Sequence, residues 1–506
     1  MNSMIQQLFM IPTFKYLFLS VDDGKVEELS TIEDEKSVYH NKMIDDNLLH
    51  QVQNTMGFLE LTERPYYNAL GLCFSMKDYS GQPTNCSMQQ DSQEFLNLCF
   101  DRLENLLKPS PQRYIIQDIF SAKQCTHMTC SSCNHVKSRI EDYYILSVPV
   151  KGFKTLEESF NSYTDGEIIS DFRCDNCEKK VDIQKNCSLI DMPNILMIHL
   201  QKIHFNVETM MNEKISDRYE FPTYLNMEKY TINSVAAKHG INDPNIDKYS
   251  ENKGNNFEYR LVGVIIHQGI ADGGHYYSLI CTDSKIRSTK DSEWTTTENL
   301  KWMEFNDRET RDFNFRMNFE SDCFGKDEKD IYGSSTNNEF ESWGSGGSSK
   351  SAYVLIYEKR EFNDIKLKVD LQTVKEKGKT PEEIKKEIED EKNRYYRSIY
   401  TSHNCDPPKL TGSKEEDKEA IAESKEDKFE QSLECGDIAM PRDSFPCLRI
   451  PHNISVFMSQ EERNDLKYIP IQYNKDTNEC VMKVKFRDVQ TFIPYRIFKV
   501  ILHFKA

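Results

Sequence analysis

The hydrophobic pattern begins as a helical repeat. Apolar residues near the start of the chain recur at i, i+3 and i+4, which predicts an amphipathic helix that ends before Pro12. These positions are Met1, Met4, Ile5, Leu8 and Phe9. The stretch DSQEFLNLCFDRLENLLK, residues 91–108, repeats the pattern. Its predicted apolar stripe consists of Phe95, Leu98, Cys99, Leu103 and Leu106. Helices therefore dominate the first part of the predicted fold.

From Ile140 the pattern changes to short β-branched and aromatic runs bounded by turn residues, which is typical of strands. The runs are YYILSVPV, LIDMPNILMIHL, YRLVGVIIHQG, HYYSLICT and SAYVLIYEK. Helices followed by a mostly antiparallel sheet predict an α+β fold class.

The balance of polar and apolar residues divides the chain into three predicted ranges. Residues 1–360 carry the helical and β-rich patterns and are expected to form the main domain. Residues 361–435 read as a charged helix followed by a disordered linker, because they are rich in Lys, Glu and Ser. Residues 436–506 regain apolar runs such as YIPIQY and CVMKVKF and form a small C-terminal region of unassigned role.

Composition excludes several function classes. The 506 residues include 82 acidic and 64 basic side chains, a net charge of −18, so nucleic acid is not an expected partner. No apolar run reaches the roughly 18 residues that cross a bilayer, so no membrane association is expected. Fifteen scattered cysteines fit free thiols and metal ligands in a reducing compartment. The expected location is the cytoplasm, with the nucleus as a second compartment.

Four cysteines have the spacing of a metal site. Cys130 and Cys133 form one CxxC, and Cys174 and Cys177 form a second. Two such turns supply the four thiolates that a tetrahedral structural zinc ion needs, so one zinc ion is the predicted cofactor. A zinc ribbon that binds nucleic acid is the alternative, but the residues around the cysteines carry mixed charges and form no basic face.

A second constellation suggests thiol chemistry. His275 follows Gly273 and Gly274 at the start of a predicted strand, and the glycines leave room for an extended chain to approach it. Asn306 and Asp307 end another short strand and could orient an imidazole that takes a proton from a thiol. A histidine after two glycines is also common as an exposed turn residue. Cys73, Cys86 and Cys99 lie nearest to the helical part, but none has the setting of a reactive thiol at a helix start.

Together these motifs resemble the ubiquitin-specific proteases, and most strongly the very large fat-facets-like members. The resemblance covers residues 1 to about 360 and rests on the order of the pieces. They are MNSMIQQLFMIP, QQDSQEFLNLCFDRL, the paired CxxC turns, LMIHLQKIHFN, YRLVGVIIHQGIADGGHYYSLI, WMEFND and SAYVLIYEK. The resemblance implies a papain-like fold with a helical thumb, a β-rich palm and zinc-ribbon fingers. It also implies cysteine-type hydrolysis of ubiquitin from protein lysines, with ubiquitin and ubiquitinated proteins as partners.

Site roles follow from the same resemblance. His275 would be the general base, Asn306 would orient it, and Asp307 would assist. In the family the opening box reads Gly-Asn-Thr-Cys-Tyr-Met-Asn-Ser, so the nucleophilic cysteine would lie two positions before Met1, and we expect the sequence to begin just after it. Three interpretations stay open: an active deubiquitinase, a ubiquitin-binding pseudo-protease without the thiol, and a zinc-ribbon adaptor protein.

The resemblance further implies a binding channel for the basic C-terminal tail of ubiquitin. Gln90 and Asp91 would grip the tail, and Gly273, Gly274 and Tyr276 would lie beside it. N-capping of the following helix is the alternative role for Asp91, and its two oxygens could serve both roles. One departure is Gln201, Lys202 and Ile203, which stand where the family usually has Lys-Arg-Phe, so the resemblance does not support a specific ubiquitin contact there.

Overall fold

The structure is a computed structural model. It describes residues 1–21, 47–62, 67–84, 91–250, 256–271, 273–283, 297–325, 350–402, 429, 431–433, 438–445 and 467–484. Predictions for Gln90, Cys86 and most of the proposed linker at 403–435 lie outside these residues. No helix within the described ranges is both long and apolar enough to cross a membrane.

Helices form a layer at the beginning of the chain and appear again between the strands. They are α1 Asn2–Phe9, α2 Pro12–Leu19, α3 Leu48–Leu61, α4 Leu70–Ser75, α5 Ser92–Leu107, α6 Ile115–Phe120, α7 Leu156–Asp165, α8 Ile232–His239, α9 Ile246–Ser250, α10 Phe315–Cys323, α11 Leu371–Lys377 and α12 Pro381–Ser402. The predicted opening helix is α1, and no side chain caps its N-terminus. The predicted charged helix after Arg360 is α12.

The strands follow the apolar runs found in the sequence. They are β1 Ala122–Cys130, β2 Val136–Tyr143, β3 Ile145–Pro149, β4 Glu167–Arg173, β5 Lys180–Asp191, β6 Ile195–Gln201, β7 Ile203–Asn206, β8 Met211–Lys214, β9 Tyr224–Asn226, β10 Glu258–Ile270, β11 Gly273–Cys281, β12 Trp302–Asn306, β13 Glu309–Phe313, β14 Lys350–Lys359, β15 Ile365–Val369, β16 Ile438–Pro441, β17 Tyr468–Asn474 and β18 Glu479–Val484. The predicted α+β class is confirmed.

An eight-stranded central sheet carries most of these runs in the order β13-β12-β11-β10-β14-β6-β3, with β9 paired to β10. Its neighbours are antiparallel except β3 and β6, which are parallel. One face packs on α1–α6, and the other packs on α7 and α10. The long apolar strands are buried on both sides, which explains their near-continuous β-branched composition.

A second sheet, β2-β1-β5-β4, is entirely antiparallel and has the cysteine turns at one end. We call it the fingers sheet, after the part of the family fold that it was expected to form. Much of its surface is polar or half-buried, as in β2 and β4. Leu189 of β5 nevertheless belongs to the buried cluster under the central sheet, so one end of the fingers sheet adds to the core.

A third sheet has the order β15-β18-β17-β16 and joins residues that lie far apart in sequence. We call it the C-terminal sheet. It takes β15 from the range 361–435 and its other strands from the range 436–506, so the sheet spans two of the ranges that the sequence separated. Its apolar face belongs to the same buried cluster as α1–α6. The three-range division itself stays a prediction.

The apolar stripe of α5 was predicted correctly except at one position. Phe95, Leu98, Cys99 and Leu103 are buried, but Leu106 is 37% exposed and Leu107 takes its place in the core. Both positions are one turn beyond Leu103, because the 3.6-residue repeat falls between i+3 and i+4. The core uses the i+4 position here.

Candidate active site

The β10–β11 hairpin presents His275 beside the first helix. Strand β11 packs against α1, where the Ser278 hydroxyl donates a hydrogen bond of 2.8 Å to the Ser3 carbonyl. Gln7 of α1 donates from its side-chain amide to the carbonyls of Val264 and Leu279, each at 3.3 Å. These buried polar bonds fix the helix to the two strands. The strand that begins near His275 therefore runs alongside the first turn of α1.

His275 and Asn306 meet, as their predicted roles require. The distance from His275 Nε2 to Asn306 Oδ1 is 2.6 Å, and the imidazole side chain is 41% exposed. Because an amide oxygen only accepts, Nε2 carries the proton and Nδ1 has a free lone pair. The arrangement can take up a proton at Nδ1.

Asp307 lies farther from the imidazole. Its carboxylate is 3.9 Å from His275 Nε2 and 67% exposed, so it makes an ion pair only when the histidine is protonated. The residue also has a positive φ of 52° in the turn between β12 and β13, a conformation that aspartate tolerates. The assisting role of Asp307 stays a prediction.

Glu304 and Arg311 complete the surroundings of Asn306, and the sequence analysis missed both. Asn306 Nδ2 donates to Glu304 Oε1 at 3.1 Å, and Arg311 Nε is 3.6 Å from the same oxygen. The strand period could have revealed Glu304 in the sequence. Alternate residues of a strand share a face, and Glu304 is two positions before Asn306.

The two glycines before His275 differ in their surroundings. A Cβ on Gly274 would lie 2.4 Å from His267 Nε2 and 2.6 Å from the Gln268 carbonyl oxygen. At Gly273 the nearest atom would be Ile270 Cγ1 at 3.9 Å. Packing inside the protein therefore requires glycine at 274, whereas the described part of the chain leaves space at position 273, as access for an extended chain would need.

Asp91 caps α5 with one oxygen and binds a tyrosine with the other. Oδ1 accepts from Gln93 N at 2.7 Å and from Glu94 N at 3.2 Å. Oδ2 accepts from the hydroxyl of Tyr353. Burial, followed by the charge of Asp91, raises the pKa of Tyr353, so this hydroxyl stays a donor. The contacts of the N-capping interpretation are present, and the tail-binding role of Asp91 stays a prediction.

Buried histidines and tyrosines lie next to Asp91, and the sequence analysis did not single out the histidines. The His267 ring is 4.6 Å from that of Tyr276, and the His199 ring is 4.8 Å from that of Tyr353. Burial lowers the pKa of each histidine to about 4, so both are neutral near pH 7. Their signal was a histidine inside each apolar run, LMIHL and VIIHQG. Tyr276, predicted to lie beside the tail, belongs to this aromatic layer.

The departure from the family pattern lies inside the protein at Lys202. Its side chain is fully buried, with Nζ 5.7 Å from the centre of the Tyr219 ring, and no described residue forms a hydrogen bond with it. Burial first, and the charge of Lys214 next, lower its pKa to about 7. The side chain of Lys202 is therefore not displayed on the surface, and the role of this segment toward ubiquitin stays a prediction.

The four cysteines converge at the end of the fingers sheet, and their sulfur atoms all lie within 4.8 Å of one another. Cys130 Sγ is 4.0 Å from Cys177 Sγ, and Cys133 Sγ is 3.8 Å from Cys174 Sγ. A tetrahedral ion with Zn–S bonds of about 2.3 Å requires sulfur atoms about 3.8 Å apart. The cluster therefore fits a zinc ion and similar thiolate-binding metals.

Both cysteine turns have the same backbone design. Asn134 N donates to the Cys130 carbonyl at 3.0 Å, and Glu178 N donates to the Cys174 carbonyl at 2.9 Å. Asn134 and Glu178 also share a positive φ, 54° and 56°. The two turns are thus equivalent halves of one site.

Cys99 has the inert character expected from the sequence, whereas the same expectation for Cys73 stays a prediction. Burial raises the pKa of Cys99 to about 12. Cys73 is half-buried, with its sulfur 3.7 Å from that of Met1. A thiol of raised pKa inside the core is a poor nucleophile.

Comparison with known proteins agrees with this geometry. The family model described as "Ubiquitin carboxyl-terminal hydrolase" matches residues 1–357. The chain is 28% identical over 318 residues to mouse ubiquitin carboxyl-terminal hydrolase 9X, which covers 55% of this chain and 12% of that protein. It is 27% identical over 318 residues to the probable ubiquitin carboxyl-terminal hydrolase FAF of Drosophila melanogaster, covering 55% of this chain and 11% of that protein. Human ubiquitin carboxyl-terminal hydrolase 34 is 28% identical to the chain over 369 residues, and the match covers 71% of this chain and 9% of that protein.

The chain thus spans about a tenth of the length of these curated relatives. The family match, however, extends from the first helix through the central sheet to β14 and includes the histidine hairpin and the cysteine turns. The chain therefore belongs to the ubiquitin carboxyl-terminal hydrolase family.

Proposed function

We propose that this chain is the catalytic region of a cysteine-type deubiquitinase that releases ubiquitin from protein lysines. The observation that carries the proposal is the 2.6 Å contact between His275 Nε2 and Asn306 Oδ1, on a strand that packs against α1. A helix N-terminus favours a thiolate, and the family resemblance implies a cysteine just before this helix. His275, Asn306 and that cysteine would form the triad.

The proposed chemistry is acyl transfer. His275 takes the thiol proton, and the thiolate attacks the carbonyl carbon of the last glycine of ubiquitin. The protonated imidazole then gives that proton to the departing lysine amine. Water then attacks the thioester carbonyl, with His275 Nδ1 as base, and the thiolate leaves. Asn306 holds the imidazole in the tautomer that has a free Nδ1 lone pair.

Tail recognition is proposed for the channel around Asp91. Its carboxylate lies next to the layer formed by Tyr276, Tyr353 and His267. A carboxylate on an apolar, aromatic wall suits an extended peptide that carries arginine, because the charge-assisted bond is strengthened where water is excluded. Gly273 and Gln90 are the further proposed contacts. Ubiquitin conjugates form in the cytosol and nucleus, which are the proposed locations.

The cysteine cluster is proposed to hold one structural zinc ion through Cys130, Cys133, Cys174 and Cys177. When bound, the ion cross-links the two turns and has no open position for chemistry. The sulfur spacing and the paired backbone turns support this assignment. The residues would thereby hold the fingers sheet in the shape that receives a protein partner.

The test is a ubiquitin probe with a C-terminal electrophile. The chain extended before Met1 by Asn-Thr-Cys-Tyr should form a covalent adduct. The same extension with alanine instead of cysteine should bind ubiquitin without an adduct. His275→Ala in the extended chain should abolish most of the adduct rate while leaving ubiquitin binding intact.

Two results would contradict the proposal. Ubiquitin binding without adduct by the extended chain would favour a ubiquitin-binding pseudo-protease. Absence of both binding and adduct, in a chain that folds and holds zinc, would favour a zinc-ribbon adaptor. Thermal unfolding and bound zinc, measured on each variant, separate these outcomes from misfolding.

A further inference from the structure

The side chain of Glu304 contacts Asn306, pairs with Arg311 and is largely buried. Strand period places Glu304 and Asn306 on one face of β12, and Glu304 pairs across the sheet with Arg311 of β13. Asn306 Nδ2 donates to Glu304 Oε1 at 3.1 Å, and Arg311 Nε lies 3.6 Å from that oxygen. The Glu304 side chain is only 15% exposed, so its position is fixed by packing as well as by charge.

This contact decides which way the Asn306 amide points. An amide has a donor end and an acceptor end, whereas an ionised carboxylate only accepts. With the NH₂ group toward Glu304, Oδ1 faces His275 Nε2. The flipped amide would place two acceptor oxygens against each other and would offer a donor to the imidazole.

The amide direction in turn selects the histidine tautomer. Oδ1 accepts only from a protonated Nε2, which leaves Nδ1 free to take a proton. A flipped amide would favour the opposite tautomer, with the proton on Nδ1 and no base available there.

We propose that Glu304 is a positioning residue that acts through Asn306 to keep His275 in the tautomer with a free Nδ1. Its importance for catalysis rests on the proposed function, but its effect on the tautomer does not. The histidine-to-asparagine contact alone does not fix the amide, because an isolated asparagine can present either end. The carboxylate removes this ambiguity, and Arg311 balances its charge.

The first experiment uses the chain as it exists. ¹⁵N-histidine labelling and NMR distinguish a protonated from an unprotonated ring nitrogen, and His275→Ala assigns the His275 signals among the 12 histidines. The parent chain should show protonated Nε2 and unprotonated Nδ1. Glu304→Ala should give a mixture of tautomers, and Glu304→Gln should give an intermediate spectrum, because its amide oxygen can accept from Asn306 but its amide can also turn and donate.

A matched control is available in Glu309. Its carboxylate also pairs with Arg311, at 2.8 Å, but is 73% exposed. Glu309 lies opposite Asn306 in the β12–β13 pairing, but the Asn306 side-chain hydrogen bonds described above go to His275 and Glu304. Glu309→Ala removes the same charge and should leave the His275 spectrum unchanged. In a protein that already carries Asn306→Asp, adding Glu304→Ala should not disturb the His275 tautomer. Aspartate has no amide to orient, and its carboxylate would repel that of Glu304.

Adduct formation by the cysteine-extended chain gives the catalytic readout. Glu304→Ala should slow it roughly tenfold, the effect of losing one hydrogen bond to a charged group, and Glu304→Gln should slow it less than Glu304→Ala does, whereas Glu309→Ala should change it by less than about threefold. An unchanged His275 spectrum in Glu304→Ala would overturn the inference, as would an equal effect of Glu309→Ala. If the extended parent forms no adduct, the proposed function fails while the tautomer result still decides the role of Glu304.

Discussion

Asp91 allows its two roles to be separated by substitution. Asp91→Ala removes the cap of α5, which costs about 0.5–2 kcal/mol, and leaves the hydroxyl of Tyr353 without its acceptor, which costs about 1–3 kcal/mol. The expected loss of stability is therefore about 1.5–5 kcal/mol. Asp91→Asn should lose less than about 1 kcal/mol, because asparagine is also a good N-cap and its oxygen can accept from Tyr353.

The two Asp91 variants should differ in stability but should lose ubiquitin affinity to a similar extent. Both variants lose the negative charge that is proposed to face ubiquitin's basic tail, so both should bind ubiquitin about 10–100-fold more weakly. Tyr353→Phe is the control, since it removes only the hydroxyl donor and keeps the carboxylate. Urea unfolding measures stability, and calorimetric titration with ubiquitin measures affinity.

The refuting results are distinct for the two roles. An Asp91→Asn protein as unstable as Asp91→Ala would show that charge, and not capping, stabilises α5. An Asp91→Asn protein that keeps parent affinity for ubiquitin would refute the tail-binding role. Repeating the titration with ubiquitin that lacks its C-terminal tail should remove the difference between parent and variant.

Three further predictions concern the core, the hairpin and the fingers. Burial lowers the pKa of Lys202 from 10.5 to about 7. Between these two pH values the unfolded chain keeps the lysine proton, whereas the folded chain releases it. Stability should therefore rise with pH from about 7 to 10.5, and urea unfolding of Lys202→Met should show a weaker pH dependence and higher stability at pH 7. Gly274→Ala should lower the melting temperature by several degrees, whereas Gly273→Ala should not; equal melting temperatures would contradict the packing argument. Removing metal with a chelator should release one zinc ion per chain and lower ubiquitin affinity, and Cys133→Ser should do the same without chelator.

Local pattern was sufficient to predict much of the fold. The strands β10, β11 and β14 coincide with apolar runs that are visible in the sequence, because strands buried on both faces cannot carry many polar residues. The CxxC spacing predicted the sulfur cluster, since each short turn fixes two ligands locally. His275 and Asn306 were found as candidates from their places at strand ends, but their contact depends on pairing β11 with β12.

Contacts between distant segments could not be predicted in this way. The pairing of Ile365 with Val484 joins residues separated by a long range of polar sequence, and no local pattern specifies the partner of a strand. Leu106 and Leu107 are both apolar and differ only in which one the core accepts. The role of Glu304 depends on the contact of its neighbour Asn306 with His275, which joins two strands and is not visible in the local sequence.

The C-terminal sheet has a practical consequence for the borders of any expressed fragment. Its apolar residues, such as Leu367 and Ile471, share a buried cluster with Ile116 of α6. Glu479 also binds Arg113 at 2.7 Å and the hydroxyl of Tyr114 at 2.8 Å. A protein that ends at residue 357, where the family match stops, would expose the apolar surface of α1–α6 that the C-terminal sheet covers. Such a protein would tend to aggregate. Biochemical work on this enzyme region should therefore keep the chain through at least Val484.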